Sequence, residues 1–377
     1  MQVERYFIAC MTALLIACGG EGNEGSEAAS GPDTMTVAPS DTIGILMGDS
    51  NYVFGTIGDA IYTADGNIAV MDETGCCVKV FDPAGGFLYQ MGREGSGPGE
   101  LLHPGAMVLL SNGSVGVIDA PTGGLHAYGA GGEFDSTLIE FMGGPVPQWA
   151  WGVDSMAFVG AVTDFDQTGE TMMVAFRVGR WELDRQPETV YFENTFPFDP
   201  RDMAGMLDGT FFSCTYAAER DGYVYAAPIS SSEYRIDVFQ PDGTLSSSFS
   251  REMPRVEKSP EEVRDEIAMI TAILKERGVP EHMIDYSPDP YRWLIQPQGM
   301  GADGDGRIWV HNGASDGIVM DVYDRDGTHL AVVRIEGVEN PGIMDFVNIK
   351  VQPRGILAYS LQDPGYPRLY VIPMPAF

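Results

Sequence analysis

Residues 65–88 read DGNIAVMDETGCCVKVFDPAGGFL. A tight Asp-Gly turn leads into a short apolar strand ending on Asp72, then a polar turn, a second strand and another glycine turn. Strand-length apolar runs punctuated by Gly, Asp and Pro predict antiparallel hairpins. The same order returns from Asp221 as DGYVYAAPISSSEYRIDVFQPDGTL and from Asp305 as DGRIWVHNGASDGIVMDVYDRDGTHL. Repetition of one such unit predicts an array of small sheets, each burying its faces against its neighbours.

The first turns of successive units fall at Asp65, Asn112, Asp154, Asp221, Asp305 and Arg354. Three of the intervals suit a four-stranded propeller blade of roughly 40–50 residues, and the other two need insertions of about 20 and about 40. Asn194 to Gly209, rich in Pro and Gly and without a period, supplies the first, and Arg251 to Gln296 the second. The second predicts a helix, with Ser259 as N-cap, Pro260 in the first turn and Glu262 completing a capping box. Lys275 and Arg277 load its last turn and Gly278 ends it, while Val263, Ile267, Ile270 and Leu274 form an apolar stripe. The third unit departs from the pattern, with Asp154-Ser155 in place of Asp-Gly and a disturbed stretch from Trp181 to Pro187.

Six markers predict an all-β fold, a six-bladed β-propeller over residues 41–377 with the helical insertion (about 251–296) between blades four and five. The last unit, Asp345 to Pro373, has length for three strands only. Thr42 to Met47 is the natural fourth, and closing the ring with this N-terminal strand removes two exposed edges.

Composition bounds the function. The chain has 377 residues, 44% of them hydrophobic, which is enough for a substantial core. Its formal charge of −32, with lysine confined to Lys79, Lys258, Lys275 and Lys350, repels phosphate backbones and argues against nucleic-acid binding. Tyr6 to Ala17 is an apolar run too short to span a bilayer but suited to the core of a signal peptide, residues 1–17. Residues 18–40, rich in Gly, Glu and Ser, read as a flexible tether. Of the remaining cysteines, adjacent Cys76 and Cys77 leave three choices: a vicinal disulfide, two free thiols, or one bridge to Cys214.

Leu15-Ile16-Ala17-Cys18 resembles the lipobox of bacterial lipoproteins, which implies cleavage before Cys18 and acylation of that residue. The units resemble those of NHL-type six-bladed propellers, in particular the bacterial lipoprotein group. Gly92 to Pro104, GREGSGPGELLHP, is similar to the glycine-rich blade link of that group. The resemblance implies an exported protein whose membrane attachment is its lipid anchor. Gly19 after Cys18 fits outer-membrane sorting by resemblance to enteric lipoproteins.

In such a blade the turns joining strands one to two and three to four share one face. Here those turns are short, and the irregular segments all belong to the other face. Loop elaboration on one side of a rigid scaffold predicts binding there. Candidate ligand-binding residues on that face are Asp72, Arg93, His103, Asp119, His311 and Asn312, with Tyr291, Arg292 and Trp293 from the insertion. Asp72 and Asp119 also suit turn chemistry at strand ends, Arg93 and Arg292 suit ion pairing, and Trp293 suits an anchor for the insertion.

No local zinc, nucleophile-elbow or phosphate-loop spacing occurs, so no catalytic residue is assigned. Asp164 to Gly169 imitates the start of a calcium loop, but Ala175 stands where the bidentate Glu belongs. Propeller lyases and lactonases assemble metal sites from several blades, so a divalent metal (calcium or zinc) in the channel is the alternative. Three readings follow. One is a lipid-anchored module binding a protein or small-molecule ligand with no cofactor. A second is a metal-dependent lyase or lactonase with its site at the channel mouth. The third is a sensor or assembly accessory docking through its helical insert.

Overall fold

The structure is a computed structural model and describes residues 32–377 except 142–143, 154–156, 168, 170, 183–185, 200, 277, 339–346 and 361–364. The expected signal peptide, Cys18, the start of the tether and the Asp154-Ser155 marker lie outside the described residues.

Six sheets are laid down in chain order. Blade one comprises Ile57–Tyr62, Ile68–Asp72, Cys77–Phe81 and Phe87–Met91. Blade two comprises Pro104–Leu109, Val115–Asp119, Gly124–Tyr128 and Phe134–Glu140. Blade three comprises Gln148–Gly152, Phe158–Asp166, Met173–Trp181 and Thr189–Pro197. Blade four comprises Cys214–Ala218, Val224–Pro228, Arg235–Phe239 and Leu245–Ser250. Blade five comprises Ile295–Ala302, Ile308–Asn312, Ile318–Tyr323 and His329–Ile335. Blade six comprises Val347–Gln352, Gly355–Ser360 and Leu369–Ile372, completed by Asp41–Ile43. The first strands of successive blades touch one another around a closed ring, blade six meeting blade one, so they form the wall of an axial channel.

The ring is held by what lies between the blades. The second and third strands of blades one and two are buried along their whole length, as their apolar runs require. The fourth strand of blade one alternates buried and exposed residues because one face meets water. An apolar cluster fills the gap between each pair of neighbouring blades, from Ile61, Val78 and Met107 between blades one and two to Ile43, Phe81 and Leu357 between blades six and one. Each blade therefore borrows part of its core from the next. The Asp-Gly turns close the inner hairpins, with Gly66 at φ +86° and Gly222 at φ +90°, where a Cβ is strained.

The N-terminal closure is as expected, antiparallel to Leu369–Ile372, but it is confined to Asp41–Ile43 rather than running to Met47. The tether is shorter than its composition predicts. Asp33–Val37 forms a strand parallel to His329–Ile335 and makes blade five a five-stranded sheet. Met35 and Val37 pack on the apolar cluster there, which offsets the ordering cost.

Both insertions are folded. The strand of blade three runs on to Pro197, and Met203–Gly209 is a short helix, α1, where sequence showed no period. The predicted helix is α2, Pro260–Glu276, between the last strand of blade four and the first of blade five. Its capping box forms as read: Ser259 N donates to Glu262 Oε2 at 2.6 Å and Glu262 N to Ser259 Oγ at 3.2 Å. The buried stripe is rotated from the expected one. Ile270 and Leu274 are buried, Ile267 is exposed, and Glu266 turns inward because Lys258 Nζ meets it at 2.5 Å and Tyr286 Oη donates to it at 2.6 Å. The two helices share a cluster with Phe212 and Trp293, so the insertions form one cap.

Candidate functional site

Most residues nominated from sequence are engaged within the chain. Asp72, buried at the end of its strand, accepts from Gly55 N at 3.1 Å and Gly75 N at 3.0 Å through Oδ1, and from Lys79 Nζ at 3.2 Å through Oδ2. Asp119 repeats the arrangement one blade on, accepting from Leu102 N at 2.6 Å and His103 N at 3.0 Å. Each carboxylate ties the incoming blade link to the end of the second strand. Asn312 serves blade five, donating to Asp321 at 2.9 Å and accepting from Ala314 N at 3.0 Å.

Arg93 makes a two-pronged contact with Glu100, at 2.9 and 2.7 Å, across the Gly-rich link. The Gly97 N–H, donating to Glu100 at 2.9 Å, and after it Arg93 hold the Glu100 carboxyl below its usual range. Arg292 bridges Glu262 at 2.8 Å and Asp316 at 2.9 Å, Tyr291 lies under Arg255, and Trp293 stacks on Phe212. His311 is buried, and desolvation pushes its imidazole down to about 4. Of these residues, His103 lines a channel cavity and lies 3.4 Å from Glu73.

Cys76, Cys77 and Cys214 are free thiols in this structure. Cys76 occupies the turn at φ +48° and directs Sγ to the Leu102 carbonyl at 3.2 Å, whereas Cys77 already belongs to the strand. Burial pushes the Cys77 thiol up to about 11. The calcium-like stretch begins in a regular strand. Asp164 lies in a strand directly opposite Ala175, and its carboxylate pairs with Arg177 at 3.7 Å. Among the described residues, no group of three or more His, Cys, Asp or Glu side chains is placed to hold a metal.

The axial channel has two chambers. The wider, about 920 Å³, lies at the ends of the first strands and opens among the short turns. Its floor is apolar, from Ile61, Met107, Leu109, Trp151 and Val351. Its charged rim includes Arg325 held by Glu219, Asp221 and Tyr225, and Asp303 held by Arg307 and Trp309. The narrower chamber, about 230 Å³, lies at the starts of the first strands, on the loop-rich face. A neck of about 50 Å³ separates them. There Lys350 Nζ meets Asp59 Oδ1 at 2.7 Å and lies 5.3 Å from the Trp151 ring centre, while Met107 N donates to Asp59 Oδ2 at 2.8 Å.

The narrow chamber is shaped by interruptions in the first strands. The register slips between Ile57 and Asp59, Pro104 and Ala106, Gln148 and Trp151, and Ile295 and Met300. Such bulges release residues from the ladder and re-aim them. Two of the released residues, Trp149 at φ +49° and Gln298 at φ +52°, carry side chains in the left-handed region. That conformation costs roughly 1–3 kcal/mol each and survives only where the surroundings enforce it. Tyr216 Oη enforces it at Trp149, donating to the carbonyl oxygens of Gln148 and Trp149 at 3.0 and 2.7 Å.

Phe211, next to α1, reaches back to the Trp149 ring at 4.9 Å and so brings the cap to the mouth. Thr215 and Asn348, on the first strands of blades four and six, line the neck. Their Oγ1 and Oδ1 atoms are buried without a hydrogen-bond partner. At Gly105 a Cβ would meet nothing within 4 Å, so this position opens on free space. None of Trp149, Phe211, Thr215 and Asn348 was nominated from sequence. The pair of tryptophans in Pro147-Gln148-Trp149-Ala150-Trp151 was the one available signal.

The chain resembles known propellers. Residues 49–156 match the DUF5128 family model, a 6-bladed beta-propeller. No curated protein matches the sequence. A gluconolactonase from Xanthomonas campestris is 14% identical with a TM-score of 0.42, the match covering 90% of this chain and 97% of that one. Regucalcin, a calcium-binding protein from Agrobacterium tumefaciens, is 11% identical with a TM-score of 0.45, covering 91% and 97%. A Bacteroides fragilis protein described as exported is 10% identical with a TM-score of 0.45, covering 91% and 100%. At such identities no activity carries over to this chain.

Proposed function

We propose that this chain is an exported, lipid-anchored module that binds a small ligand in the loop-side mouth of its channel. The carrying observation is the pair of unpartnered buried atoms, Thr215 Oγ1 and Asn348 Oδ1, beside a cavity. A buried polar atom without a partner costs about 1–3 kcal/mol, and a ligand that reaches both offsets that cost. The strained Trp149 and Gln298 at the same mouth point the same way, since strain of this kind gathers at binding sites. Anchoring rests on the Leu15-Ile16-Ala17-Cys18 resemblance and the apolar run before it.

Gly105 provides a clean test. Its backbone is outside the left-handed region and its Cβ direction is open, so Gly105→Leu fills the chamber without disturbing the wall. A fragment library is screened against the full chain by ligand-observed NMR, with Gly105→Leu as control. Hits lost in the variant support the reading. Hits unaffected by it, or none at all, overturn it. Anchoring is tested separately by metabolic labelling with an alkyne fatty acid, which Cys18→Ala should abolish.

A further inference from the structure

We propose that the loop-side mouth recognises one uncharged sugar ring. This rests on the reading of the mouth as a ligand site and names what it takes. The polar groups free to act there are neutral. At the mouth Asn348 Oδ1 can only accept and the Gln298 amide offers both, while the Thr215 hydroxyl, in the adjoining neck, can do either.

The carboxylates nearby already have partners. Asp59 is neutralised by Lys350, and Glu73 faces His103. An anionic head such as a carboxylate has no proton to give Asn348. A cationic head finds the carboxylate in the neck already taken by Lys350. An apolar ligand leaves both buried atoms unpartnered. A ring bearing several hydroxyls both donates and accepts, so one hydroxyl meets Asn348 at the mouth and another, directed into the neck, meets Thr215.

The walls fit the other side of such a ring. Trp149 and Phe211 meet edge-on, with their planes at 79°, and form an aromatic corner at the mouth. The C–H face of a sugar ring is apolar and covers an aromatic surface while its hydroxyls point elsewhere. Size agrees as well. About 230 Å³ is below the roughly 300–1,000 Å³ of pockets for drug-sized ligands, which leaves room for a single ring. Gly105 lines the same chamber and leaves open the space a side chain would fill.

The test titrates the full chain with D-glucose, D-galactose, D-mannose and N-acetyl-D-glucosamine, alongside benzamide, nicotinamide and phenylalanine as non-sugars. Binding is read by saturation-transfer NMR and tryptophan fluorescence. At least one sugar is expected to saturate, with transfer strongest to its ring C–H protons. Thr215→Val and Asn348→Leu should each weaken it roughly tenfold, the loss of one buried hydrogen bond. Gly105→Leu, which adds to the wall rather than removing from it, should abolish it. Gly105-dependent binding of the non-sugars alone overturns the sugar assignment and leaves the ligand site standing. Sugar binding untouched by Gly105→Leu puts the sugar elsewhere and overturns it too. No binding by any of these probes, in a chain that unfolds cooperatively, overturns both readings.

Discussion

The Phe211 ring meets the Trp149 ring edge-on, with 4.9 Å between centres. One residue belongs to the segment after α1 and the other to a bulge in the channel wall. Through Phe212, which stacks on Trp293 at 5.0 Å, the contact continues into the helical insertion. The cap therefore ends inside the mouth of the channel. Removing the ring by Phe211→Ala should shift Trp149 emission to the red and cost about 1–2 kcal/mol of stability. Denaturant unfolding followed by fluorescence measures both, and unchanged emission would show that the cap does not shield Trp149.

Asp72 and Arg93 should behave in opposite ways. Asp72→Ala leaves buried Lys79 and two backbone amides without their carboxylate, a loss on the order of 3–5 kcal/mol. Arg93 is 77% exposed, so Arg93→Ala should leave the unfolding midpoint where it is. Urea titration of the two variants separates a structural brace from a surface pair.

Strain at Gln298 gives a signed prediction. Gln298→Ala removes the side chain and keeps the left-handed backbone, whereas Gln298→Gly removes the strain as well. The glycine variant should exceed the alanine variant by about 1 kcal/mol. Equal stabilities would place the backbone outside that region.

His311 predicts part of the acid sensitivity. Burial lowers its pKa from 6.5 to about 4, so the folded state refuses a proton that the unfolded chain accepts. Its contribution is complete above pH 6.5 and is lost as pH falls from 6.5 to 4, amounting to on the order of 3 kcal/mol. His311→Leu should flatten that part of the profile relative to the parent chain. Parallel profiles in this window would show that His311 titrates normally.

The propeller was legible because its signals are local. An Asp-Gly turn flanked by apolar runs is complete within one hairpin, and the capping box at Ser259 lies within four residues. Asp33–Val37 was illegible because DTMTV is polar and gains order only by pairing with a strand three hundred residues away. The mouth was illegible for the same reason. Trp149, Phe211, Thr215 and Asn348 come from separate parts of the chain and meet only when the ring closes. Asp72 and Asp119 stood out in the sequence because a turn-bracing carboxylate and a ligand-binding one look alike there.

Trp149 reports directly on a ligand that enters the loop-side mouth. The chain has five tryptophans, which 5-fluorotryptophan labelling turns into separate fluorine signals, with Trp149 assigned from Trp149→Phe. As the library fragments that bind are added, the Trp149 signal should move while those of Trp181 and Trp309, buried inside the blades, stay in place. Binding that leaves Trp149 unmoved would place the ligand outside the loop-side mouth.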